Sequence, residues 1–97
     1  MFVVSLTYVK KIEEVEKHIE AHIAYLEKYY VLEKFIASGR KVPRTGGIIL
    51  AQASSRGELD RILQEDPFHI AQVAIYDVEE FIPTMTAPGY AALKNFT

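Results

Sequence analysis

Two apolar rhythms alternate along this chain. Residues 2–8, Phe-Val-Val-Ser-Leu-Thr-Tyr, are a short run of β-branched and aromatic types and predict a first strand. The period then lengthens. Ile12, Val15, Ile19, His22/Ile23, Leu26 and Tyr29/Tyr30 recur at spacings of three and four, one face of an amphipathic helix over roughly residues 11–29. Glu13, Glu14, Glu16, Lys17, Glu20 and Glu27 mostly fall off that face and solvate the other side. Residues 33–38 read as a short second strand ending at Gly39. The glycines and proline of residues 39–47 mark a loop, and the apolar run 48–53 reads as a central strand. Ser55-Arg56-Gly57-Glu58 matches a capping box, and the helix it starts turns Leu59, Ile62 and Leu63 inward. Pro67 disfavours helical geometry at Asp66, so that helix is expected to end there. Residues 72–78 predict the last main strand, and residues 83–97, with Pro83, Pro88 and Gly89, an irregular tail with one helical turn.

The predicted order is β-α-β-β-α-β. Four strands with both helices on one face is the ferredoxin-like α+β arrangement, and right-handed crossovers leave few alternatives. One sheet face then lacks cover, so a second copy packed sheet to sheet is expected. At 97 residues the chain reads as one domain, with a core of about 1–83 and a tail of 84–97.

Composition removes several function classes. The net charge of −2 gives no basic field for nucleic acid or an anionic membrane surface. With no Cys there are no disulfides, thiol nucleophiles or thiolate zinc sites. No apolar run nears the roughly 20 residues of a membrane span, and Met1 to Leu6 lacks the features of a signal peptide. A cytoplasmic protein is expected. No Gly-rich phosphate loop is present, and no cofactor is expected.

The candidate chemistry centres on His22 and Asp66. Histidine suits proton transfer near neutral pH, and a carboxylate on one ring nitrogen fixes the tautomer of the other. Each has a plainer reading. His22, at the border of the apolar face, fits a half-buried side chain satisfied by a backbone carbonyl. Asp66 fits a turn residue before proline. An aspartate at a helix C-terminus also faces the negative end of the dipole, which suggests a partner. Ser38 reads as a donor to a substrate oxygen or as a strand end. His69 reads as a pocket or a surface residue. His18 and His22, four apart, form only a weak metal signal, and no metal is expected. Arg40, Lys41 and Arg44 read as a solvated hairpin tip, or as an anchor for a carboxylate or phosphate on a small substrate. Phe35, Phe68, Tyr25, Tyr76 and Phe81 read mainly as core and dimer interface.

His22-x-x-Tyr25-Leu26, Ser38-Gly39, Gly46-Gly47-Ile48-Ile49, Asp66-Pro67-Phe68 and Tyr76-x-Val78-x-x-Phe81-x-Pro83 together resemble the YciI-like (YCII-related) family over about residues 1–83. That resemblance implies a dimeric α/β-barrel built from two ferredoxin-like subunits, with a His–Asp pair in a cleft of each. Carried over by residue, it puts the catalytic pair at His22 and Asp66, and Ser38 and Gly39 beside the pocket. Arg40, Phe68 and His69 are the further candidates for substrate contact. Two departures stand out. Many members have an arginine shortly before the histidine, where this chain has His18-Ile19-Glu20-Ala21, and Gly-Pro where it has Gly39-Arg40.

The expectation is a small cofactor-independent enzyme performing elimination, isomerisation or hydrolysis on a small molecule. The alternative is a non-catalytic dimeric module that binds a ligand or protein, with His22 and Asp66 as a buried structural pair.

Overall fold

Alternation of large apolar and small or polar residues builds strand β1, Phe2–Tyr8, with Phe2, Val4 and Leu6 buried on one face. A computed structural model describes residues 1–95; positions 96 and 97 of the expected tail lie outside the described residues. After β1 come helices α1, Ile12–Glu16, and α2, Ile19–Val31, then strands β2, Phe35–Arg40, and β3, Gly46–Ala51. Helix α3, Arg56–Gln64, a short helix α4, Pro67–Ile70, and strand β4, Ala74–Glu80, complete the body. A 3-10 turn at Ala91–Asn95 supplies the helical turn expected in the tail.

The strands form one antiparallel sheet in the order β2-β3-β1-β4, and the ferredoxin-like α+β fold is confirmed. Between sheet and helices lies a core that includes Phe2, Val4, Val15, Leu59, Ile62 and Phe68. Each such side chain contributes roughly 1.5–3 kcal/mol by leaving water. Among the described residues no helix is long and apolar enough to cross a membrane.

Several boundaries differ from the sequence expectation. The first helix is broken at Lys17 and His18, where the chain makes a turn before α2. No proline or glycine stands there, and the apolar spacing runs through the break unchanged. Strand β2 runs on through Gly39 and Arg40, so the loop shrinks to residues 41–45. Strand β3 begins at Gly46. A Cβ at that position would lie 1.7 Å from the Leu6 carbonyl oxygen, so only glycine allows β3 to start this close to β1. The capping box is half formed. Ser55 Oγ accepts from the Glu58 N–H at 3.1 Å, but Glu58 turns its carboxylate to Ser54 and Lys34.

Three tyrosine hydroxyls hold the helical layer to itself and to the sheet. Tyr25 donates to the Ile62 carbonyl at 2.8 Å and Tyr29 to Glu65 Oε2 at 2.6 Å, both linking α2 to the end of α3. Tyr76 reaches from β4 to Asp66. These bonds fix the height of the α3–α4 junction above α2, which is where the candidate residues meet.

Candidate active site

Asp66 is fully buried, which a carboxylate tolerates only when its oxygens are occupied. Three donors occupy them. His22 Nδ1 lies 2.7 Å from Oδ1, the Phe68 backbone N–H donates to the same oxygen at 2.9 Å, and the Tyr76 hydroxyl donates to Oδ2 at 2.6 Å. The chain makes this geometry locally. Asp66 does not sit at the disfavoured end of a helix. Helix α3 has already stopped at Gln64, and Asp66 with extended backbone is the N-cap of α4, with Pro67 in the first turn. A carboxylate accepting from the N–H two residues on is what an N-cap aspartate does, and proline suits the first helical position.

His22 projects from α2 one turn before Tyr25. Opposite an acceptor-only carboxylate, Nδ1 carries the proton, and Nε2 is left with a lone pair. Among the described residues no hydrogen bond occupies Nε2. The imidazole lies flat against Phe68, with ring centroids 3.9 Å apart and planes 5° apart, so one face is sealed and the ring cannot swivel. Burial, reinforced by the neighbouring Asp66 charge, pushes the Tyr76 phenol well above its ordinary value. Tyr76 therefore remains a donor to Asp66 across the neutral range. The same two causes act on Tyr25.

A cavity of about 410 Å³ opens beside His22, within the range of small-molecule sites. Its walls are Leu6, Tyr8, Ile19, Ile23, Leu26 and Phe68, and its polar groups are His22, Ser38, Arg40 and Arg44. Ser38, Gly39, Arg40 and Phe68 thus all border the space next to His22. Ser38 Oγ is hydrogen-bonded to the Tyr30 hydroxyl. Asp66 stands behind the histidine, out of the cavity lining. His69 is not brought to this cavity. It follows Phe68 on a tight helix, so when Phe68 turns inward His69 turns out, and it packs edge-on against Tyr76 at 5.7 Å.

The basic cluster divides. Arg40 and Arg44 border the cavity, while Lys41 Nζ reaches Thr7 Oγ1 at 3.1 Å. Sequence reading assigned Tyr76 to packing and so missed its bond to Asp66. Its strand position was the available signal: Tyr76 pairs with the inward-facing Leu6, which sends it toward the helical layer. Among the described residues no group of three or more His, Asp or Glu side chains is gathered in metal-binding fashion.

The model of the YCII-related domain matches residues 1–82. No curated protein matches the chain. Among solved structures the chain is similar to a 5-chloro-2-hydroxyhydroquinone dehydrochlorinase from Burkholderia phenoliruptrix AC1100 in complex with 2,5-dihydroxybenzoquinone. The identity is 22% and the TM-score 0.68, over 84% of this chain and 93% of that one. At that identity the likeness is one of fold.

Proposed function

The chain belongs to the YCII-related domain family, and on that premise we propose that it is a small enzyme that needs no cofactor and works by proton transfer at His22. The observation that carries this reading is the pairing of His22 Nδ1 with a fully buried carboxylate, which leaves Nε2 unbonded beside a cavity of substrate size. Nε2 acts as general base on a substrate in the cavity. As it takes the proton, positive charge develops on the imidazole, and Asp66 2.7 Å away stabilises it while Phe68 offers a ring face to the cation. Asp66 is thus a positioning residue and His22 the catalytic one.

Elimination fits best. The C–H electron pair left behind forms a double bond, the leaving group departs with its bonding pair, and the imidazolium releases the proton. The fold neighbour's name describes such a loss of hydrogen chloride. Isomerisation and hydrolysis use the same base. Ser38 Oγ is hydrogen-bonded to the Tyr30 hydroxyl rather than to a base, so it serves as a hydroxyl contact for substrate.

The test is an NMR titration of the imidazoles in the wild type and in Asp66→Asn. The expected result is a His22 ring held as the Nδ1–H tautomer in the wild type, with its titration displaced in the variant. A His22 that titrates identically in both proteins excludes the dyad. One observation favours a second reading. Asp66 also caps α4 and binds Tyr76, so the pair has a structural use even in a ligand-binding module without catalysis.

The functional unit in this proposal is a homodimer. Val3, Leu50 and Ile75 lie on the sheet face turned away from the helices, and Ile75 is more than half exposed. A second copy packed on that face covers them. Sedimentation at the mass of a single 11.0 kDa chain, at micromolar concentration, would reject the dimer.

A further inference from the structure

The charge of the cavity is opposite to that of the protein. The chain carries a net −2, yet no acidic residue borders the cavity, and two arginines do. Arg44 is partly engaged, with Nη1 3.4 Å from Glu16 Oε1. The Arg40 guanidinium has no ion pair or hydrogen bond among the described residues. It ends β2 on the inward-facing register, two residues after Ser38. Its partner across the ladder is Gly47, so no side chain on β3 crowds it. The remaining walls are aliphatic and aromatic, and His22 closes the other polar corner.

An unpaired guanidinium above an apolar cavity selects for an anion, because its fork matches the two oxygens of a carboxylate. We propose that the molecule turned over at this site is a small, largely apolar compound bearing one carboxylate, held through that group by Arg40, with Arg44 contributing charge and the apolar body against the Ile19–Ile23–Leu26 wall. A single free guanidinium fits a monoanion better than a dianionic phosphate ester. The proposal makes Arg40 the residue that sets specificity and gives His22 a substrate pinned at one end. Anchoring at the far end lets binding energy hold the reacting bond against Nε2. This inference rests on the reading of the cavity as the substrate site.

Binding measurements test it without requiring turnover. Benzoate, its neutral isostere benzamide and phenyl phosphate are titrated into the wild type, Arg40→Gln and Arg44→Gln, followed by His22 ring shifts and by calorimetry. Expected is benzoate binding at least tenfold tighter than benzamide, with displacement of the His22 signals. Arg40→Gln is expected to weaken benzoate about tenfold or more and to leave benzamide unchanged, and Arg44→Gln to weaken benzoate by less. Equal affinity for benzoate and benzamide, no binding of benzoate, tighter binding of phenyl phosphate, or an Arg40→Gln variant that binds benzoate as the wild type does would each overturn the proposal. The charge preference is read independently of the His22–Asp66 coupling, so a failed dyad and a failed anion site give different results.

Discussion

Asp66→Ala is expected to lower the free energy of unfolding by about 3–5 kcal/mol, the largest loss from any single substitution at this site. The substitution removes one acceptor group and strands three donors. The His22 Nδ1–H, the Phe68 N–H and the Tyr76 hydroxyl all lose their partner in a position closed to water. The N-cap of α4 goes with them, itself worth about 1 kcal/mol. Asp66→Asn keeps the shape and the oxygen that caps α4, so it should cost far less. Urea unfolding of both variants checks the difference. An Asp66→Ala protein within about 1 kcal/mol of the wild type would mean that these bonds contribute little.

His22→Gln is expected to do the reverse, leaving stability within about 1 kcal/mol while lowering kcat by roughly 10²–10⁴. The amide can still donate to Asp66, but it has no basic lone pair to offer the cavity. Only 14% of the imidazole side chain is accessible, and a glutamine of similar length keeps most of its packing against Phe68. The measurement is turnover by both proteins of a small apolar carboxylate of the proposed class, with folding verified by urea midpoint. Full activity in His22→Gln would remove the histidine from the chemistry.

The fold was legible because its signals are local. The β-branched and aromatic run of Phe2–Tyr8, the three-and-four spacing through Ile19 and Leu26, and the Ser55 cap each act within a few residues. The order of elements then leaves few ways to arrange four strands. The site was legible in part. His22 lies at the edge of an apolar stripe, and Asp66 in a dipeptide with proline, so both stood out as charged or titratable groups in the wrong surroundings. The sense of the Asp-Pro pair was misread, because the same two residues end one helix and begin another. Which of these they do depends on whether Phe68 has a core to enter. Tyr76, His69 and Arg40 were harder for a related reason. Where each side chain points is set by strand register and by one step of helical rotation, and register is fixed by pairing with distant residues such as Leu6 and Gly47.

The triple use of Asp66 bears on how this family changes over time. An aspartate that caps a helix and binds a tyrosine is retained by selection for folding alone. A lineage that abandoned the reaction would keep Asp66 and drift first at His22, whose loss the fold tolerates. On the proposed function, a retained histidine would therefore mark a working catalyst among relatives of this protein, and a retained aspartate would not.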